Sequence, residues 1–196
     1  MRRSSRKGKQ VKSCGREPLC VEARVVDERG EDVQPGQVGE VIARGPDMMK
    51  GYWNAPEATE QTIRGGYVYT GDQATVDEEG YIFLVGRKKN SITTQGNMIL
   101  PLEVEEVILQ HPQVLEVAVI GLPDEKLGET VKAVVIKRGD YLTEEDIIAL
   151  CQVNLPDYAV PQSVDFVESL PKTAGTGRIQ RYRLREEYIR ASSRGE

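Results

Sequence analysis

Two short clusters in this 196-residue chain carry side chains able to grip sugar hydroxyls or phosphate. In the first, Tyr69-Thr70-Gly71-Asp72 sets a carboxylate directly behind a glycine at the end of a strand-like segment, and Arg87 stands fifteen residues later. A carboxylate so placed can accept two hydroxyl hydrogen bonds from a sugar, and the guanidinium can face phosphate or ribose oxygen. Taken alone, the simpler reading is a turn aspartate bonded to nearby amides, with a surface arginine beyond it. The second cluster is Pro171-Lys172-Thr173-Ala174-Gly175-Thr176-Gly177-Arg178-Ile179. Its glycines let backbone amides approach an anion, while Thr173, Thr176 and Arg178 add donors. The GxxxxGK spacing of a phosphate-binding P-loop is absent, and an ordinary surface loop is the alternative.

Other polar residues carry weaker signals. His111, the single histidine, precedes a proline at a helix end and has no serine or cysteine partner pattern, so it reads as structural. Glu103 and Glu106 share a helix face, which a solvated side explains without a metal. Tyr52 and Trp53 can pack on a ligand or anchor their own loop. Cys14, Cys20 and Cys151 form neither a CxxC nor a CxxH pattern, so neither a disulfide framework nor a metal site is expected.

The elements that must position these residues change character midway. Cys20 to Val26, Gly39 to Gly45, Tyr67 to Tyr69, Thr75 to Asp77 and Tyr81 to Val85 read as short strands broken by glycine and acidic turns. From Ile99 onward the pattern alternates. Pro101 opens a helix through Gln110, with Leu100, Val104, Val107 and Ile108 on one face, and His111-Pro112 ends it. Val114 to Ile120 and Thr130 to Ile136 read as buried strands joined by Gly121 to Gly128. Thr143 and Asp146 form a capping box for a second helix. Ser163 to Val167 is a strand, and Arg181 to Arg190 a terminal helix.

The expected fold class is α+β: a small distorted β subdomain over residues 1–86, then a mixed α+β domain over 87–196 with a small sheet flanked by helices. Gly86-Arg87-Lys88-Lys89-Asn90 has the charge and flexibility of an interdomain joint, although a surface turn looks similar.

Composition bounds the function classes. A 39% hydrophobic content, 29% charged residues and no apolar run near 20 residues describe a soluble chain, with the cytoplasm as expected location. Arg2, Arg3, Arg6, Lys7, Lys9 and Lys12 put six cations in the first twelve residues, against an overall net charge of -5. This arm, reckoned as residues 1–14, reads as a disordered terminus; nucleic acid or anionic lipid is the lesser alternative, and no nucleic-acid partner is expected.

In order, Gly39-Glu40, Gly51-Tyr52-Trp53-Asn54, Tyr69-Thr70-Gly71-Asp72, Asp77 to Tyr81, Gly86-Arg87, Gly96, Pro101 to Glu105, His111 to Val114, Gly121 to Asp124, Gly128-Glu129 and Leu170 to Thr173 resemble the adenylate-forming (AMP-binding) superfamily. The resemblance runs from Gly15 to Arg185 and is to the carboxy-terminal part of acyl-coenzyme A ligases, the fatty-acid and medium-chain branch being nearest. It implies ATP or AMP, coenzyme A and ATP-borne Mg2+ as cofactors, with no protein ligand to the metal. It also implies a carboxylic acid substrate and a large upstream domain. By the same resemblance Asp72 holds both ribose hydroxyls and Arg87 reaches the ribose. Lys89 marks the hinge of a mobile lid, and the Gly96 loop enters the site in the thioester-forming pose. Arg178 stands at or near the place of the catalytic lysine, displaced by one extra residue, and Lys and Arg are not interchangeable at a tight phosphate contact. Met98 stands where many coenzyme A ligases carry arginine, and Asn90 where an acid is common. A noncatalytic nucleotide-binding or regulatory relative is the alternative these departures imply.

Overall fold

The computed structural model describes residues 13–192, which fall into two compact units, Met1–Lys89 and Asn90–Glu196. The fold class is α+β, as expected, although the first unit, expected as β alone, also carries a short helix. The basic residues 2–12 lie outside the described residues. Ser13 and Cys14, counted with the arm by sequence, are instead fastened. The Cys14 N–H donates to the Ile82 carbonyl at 3.0 Å, and Gly15 bridges the same residue.

The first unit is an antiparallel sheet of β1 (Glu22–Val26), β2 (Gly39–Arg44), β3 (Ile63–Arg64), β4 (Tyr67–Val76) and β5 (Ile82–Arg87), with one short helix, α1 (Pro56–Thr62). β4 is the hub, pairing with β2, β3 and β5. The sequence reading split β4 into two strands at Gly71. The structure corrects this: a bulge between Gln73 and Ala74 and a positive φ at Gly71 absorb the irregularity, so pairing runs on through it. Helix α1 escaped the sequence reading because none of its residues is buried and it therefore shows no apolar stripe. Trp53 does not anchor its loop, being 99% exposed. Thr59 does so, its hydroxyl oxygen accepting the Tyr52 N–H at 2.9 Å and donating to the Ala55 carbonyl. The core of this unit is small: Val25, Ala74 and Ile82, flanked by Ala23, Val33, Val41 and Val76.

The second unit has a five-stranded sheet of β6 (Ile92–Thr94), β7 (Asn97–Ile99), β8 (Val114–Asp124), β9 (Gly128–Lys137) and β10 (Ser163–Phe166). Its helices are α2 (Pro101–Ile108), α3 (Glu144–Asn154) and α4 (Arg181–Ser192). β8 and β9 form a long antiparallel hairpin, and β10 joins β9 in parallel. The segment Gly121 to Gly128, expected as a connection, is mostly strand. Pairing continues to Asp124↔Gly128, and the Asp124 carboxylate closes the turn by accepting the Lys126 and Leu127 N–H groups.

Alternation along β8 feeds two cores. Val117 and Val119 join Val104, Ile108 and Ile147 in one cluster, while Ala118 and Ile120 join Leu170 and Leu184 in the other. Helices α2 and α3 thus serve one cluster and α4 the other. The Thr143 and Asp146 capping box forms as expected.

Candidate functional site

In the first unit the glycine turn is built around a conformation that only glycine adopts without strain. Gly71 has φ of +71°, and the space where a Cβ would sit is empty, so backbone geometry rather than crowding selects the residue. The Thr70 hydroxyl donates to the Val41 carbonyl at 2.8 Å and accepts the Asp72 N–H at 3.1 Å, tying the turn to β2. The Gly71 N–H donates to Glu40 Oε1 at 3.1 Å.

Asp72 and Arg87 are direct partners in the β4–β5 ladder, so the pleat sets their side chains beside one another. Arg87 Nε lies 2.7 Å from Asp72 Oδ1, yet its N–H makes no aligned hydrogen bond, leaving the pair held by charge. Both side chains stay open to solvent, 29% for Asp72 and 35% for Arg87. The carboxylate therefore keeps accepting capacity, and the guanidinium keeps donors, for a polar ligand. An open cavity of about 810 Å³ in this unit, lined by Pro18, Leu19, Cys20, Arg44 and Met48 among others, includes neither residue.

Lys88, Lys89 and Asn90 form a single 3-10 turn directly after β5. Lys89 is exposed and makes no ion pair among the described residues. Lys88, also exposed, pairs instead with Glu40, its Nζ 3.4 Å from Glu40 Oε2. Glu40, only 11% exposed, therefore bridges the glycine turn and the joint. Sequence reasoning registered Gly39-Glu40 as a landmark without giving the carboxylate a task.

In the second unit, Gln95 (φ +50°) and Gly96 (φ +79°) make the tight turn of the β6–β7 hairpin, both exposed. Glu129 fastens that hairpin: its Oε2 accepts the Thr93 N–H at 2.8 Å, and its Oε1 pairs with Arg185 of α4 at 2.5 Å. Arg178 lies on a different loop, 171–180, closed by paired backbone bonds between Thr173 and Arg178 and between Gln180 and Pro171. Arg178 is exposed and has no side-chain partner among the described residues. Its loop is held at both ends. Lys172 pairs with Glu116 at 2.7 Å, and Arg181 makes a bidentate contact with Glu105, whose Oε1 also accepts the Val119 N–H. Glu105 is buried, and that burial raises its pKa against the opposing pull of Arg181 and the backbone amide.

The structure thus brings Asp72 and Arg87 together, with Lys89 two residues further along. It places Gly96 and Arg178 on separate loops of the second unit. His111 Nδ1 accepts the Gln113 N–H at 3.3 Å, a local structural contact. Burial pushes the Cys151 thiol up to about 11, which removes it as a nucleophile near neutral pH. Among the described residues no cluster of His, Cys, Asp and Glu could hold a metal ion, and no helix is long and apolar enough to cross a membrane.

Comparison with known proteins adds to this geometry. Residues 103–176 match the AMP-binding enzyme C-terminal domain, and residues 2–53 match the AMP-binding enzyme family. The long-chain-fatty-acid–CoA ligase of Escherichia coli O157:H7 is 45% identical over 166 residues, which cover 85% of this chain and 29% of the ligase. The crystal structure of ATP-bound MatB from Rhodopseudomonas palustris superposes with a TM-score of 0.86 at 36% identity, covering 91% of this chain and 36% of MatB. For the o-succinylbenzoate CoA synthetase MenE of Bacillus subtilis, in complex with the acyl-adenylate OSB-AMP, the TM-score is 0.81 at 29% identity, covering 89% of this chain and 36% of MenE. The chain therefore spans about a third of the length of these relatives.

Proposed function

This chain belongs to the AMP-binding enzyme family, and from that premise we propose that it is the carboxy-terminal part of an ATP-dependent acyl-coenzyme A ligase. Its substrate is a carboxylic acid, of the fatty-acid class in view of the E. coli relative, and the activated acid passes to coenzyme A. The observation that carries this reading is the solvent-open Asp72–Arg87 pair behind a strained-for-other-residues glycine turn. Such a carboxylate suits a vicinal diol, accepting one hydrogen bond from each hydroxyl.

Each residue then has a task. Asp72 fixes the ribose of ATP, and Arg87 steadies that carboxylate by its ion pair and turns its remaining donors toward ribose oxygen. When the acid's carboxylate attacks the α-phosphorus and pyrophosphate leaves, negative charge builds on phosphoryl oxygen, and a cation brought there by the second unit stabilises it. Arg178 is the candidate, since it is exposed, unpartnered and carried on a loop fixed at both ends. Lys89 marks the pivot for that unit, and the Gly96 turn offers close backbone approach in the thioester-forming pose. A swivelling lid excludes water in both closed states. Mg2+ arrives with the ATP phosphates, and no side chain of this chain is assigned to it. The reading places the protein in the cytoplasm, where ATP and coenzyme A are both supplied.

The test is acid-dependent pyrophosphate release with ATP, coenzyme A and a fatty-acid panel. The full-length parent turns over, and residues 1–196 alone give little or no product. Robust turnover by this chain alone contradicts the reading. A noncatalytic relative is the second reading, favoured by Arg178 and the extra loop residue. It stands if the parent forms no adenylate until the usual Gly-Lys spacing is restored.

A further inference from the structure

Among the described residues, Glu40 is the nearly buried carboxylate that contacts both candidate-site elements of the first unit. Its two oxygens are divided between them: Oε1 accepts the Gly71 N–H at 3.1 Å, and Oε2 faces Lys88 Nζ at 3.4 Å. β2 supplies the side chain from a strand paired with β4, on the opposite edge of β4 from β5. The register shift between Glu40 and Ile42 marks a local departure from regular pairing just where Glu40 meets the turn. The Gly71 N–H, in a residue with φ of +71°, thereby finds its partner in a side chain. Lys88 is the first residue after β5 and the first of the 3-10 turn that ends this unit.

We propose that Glu40 is a positioning residue that couples the sugar-holding turn to the interdomain pivot. One oxygen sets the conformation of Gly71-Asp72, and the other pins the root of the joint. This rests on the ligase reading above, which makes Asp72 the ribose contact and the Lys89 region the pivot. The two oxygens can be addressed separately. Glu40→Gln keeps an oxygen that can accept the Gly71 N–H but removes the charge facing Lys88. Lys88→Met removes that ion pair alone, and Glu40→Ala removes both contacts.

The experiment measures the two half-reactions of the full-length parent separately: acid-dependent pyrophosphate release at varied ATP, and single-turnover transfer of preformed adenylate to coenzyme A. An ion pair this exposed is worth about two- to fivefold. Glu40→Gln and Lys88→Met are therefore expected to change the thioester step by that factor, in the same direction, with the KM for ATP unchanged. Glu40→Ala is expected to raise the KM for ATP by about three- to tenfold in addition, the usual worth of one lost hydrogen bond. Equal losses in both half-reactions for all three variants, or an unchanged KM for ATP in Glu40→Ala, overturn the proposal.

A second measurement keeps it testable in this chain. Amide exchange at Gly71 is expected to quicken in Glu40→Ala and to stay as in the wild type in Lys88→Met; the same protection in all three proteins also overturns it. A wild-type parent that releases no acid-dependent pyrophosphate strikes the ligase reading instead, while the exchange result still decides whether the bridge exists.

Discussion

The two units solve opposite problems with similar materials. The first gathers Val25, Ala74 and Ile82 into a small buried cluster, with Val26 and Ile42 buried besides, and turns its polar side chains to a glycine turn and a joint. The second buries sixteen residues in one cluster and five in another, with helices serving both. Apolar burial is the main source of folding free energy, so the second unit has the stronger internal scaffold. The residues proposed to face the ligand differ accordingly. Asp72 and Arg87 are placed by strand register, whereas Arg178 and Gly96 sit on loops whose roots are tied into a deep core by Glu105, Glu116 and Glu129. Precision near a weak core comes from ladder pairing and a glycine turn; precision on a loop comes from ion-paired carboxylates behind it, of which Glu105 is buried.

The sharpest way to break this contrast is to cut an anchor in the strong unit. Glu105→Ala leaves Arg181 and the Val119 N–H without their carboxylate, and stranding one member of a buried pair costs about 3–5 kcal/mol. Urea unfolding followed by signals of residues 90–192 measures it. A loss under 1 kcal/mol means that the apolar clusters alone hold α4 and the Arg178 loop.

Ile82→Ala tests the weak unit. Removing a buried isoleucine costs about 2–5 kcal/mol, and so small a core can relax around the gap, which places the result at the low end. Signals of residues 13–89 are expected to melt earlier, with those of 90–192 unmoved. Coincident destabilisation of both sets would show that they do not fold as separate units.

The smallest effect is at the α3 cap. Thr143→Ala removes the side-chain half of the capping box and costs about 1 kcal/mol in thermal unfolding. The Thr143 N–H, and then its hydroxyl, hold the Asp146 carboxyl below its ordinary value of 3.8. A group with a lowered folded pKa contributes stability that is complete above 3.8 and vanishes as pH falls through the folded value. The wild type should therefore lose more stability between pH 5 and pH 2 than Asp146→Ala does; equal losses would remove Asp146 from the cap.

Much of the second unit was legible because its signals are local and periodic. Pro101, the apolar positions of α2 and the Thr143–Asp146 box mark helix starts directly. The length of β8 was not legible, because Gly121 and Pro123 read as turn residues, while Gly121 is there to clear Ile92 and Glu129, 3.0–3.1 Å from where its Cβ would lie. In the first unit, α1 buries nothing and so leaves no pattern. The pairing of Asp72 with Arg87 depends on a bulge that sequence alone does not reveal. Glu40 was visible as a residue and invisible as a bridge, because its partners are 31 and 48 positions away.

The decisive measurement compares ATP with 2′,3′-dideoxy-ATP in the full-length parent and its Asp72→Ala variant. Two charge-assisted hydrogen bonds to the ribose predict at least about a tenfold preference for ATP in the wild type, collapsing toward equality in the variant. A preference that survives Asp72→Ala undiminished would show that this carboxylate does not hold the nucleotide's sugar.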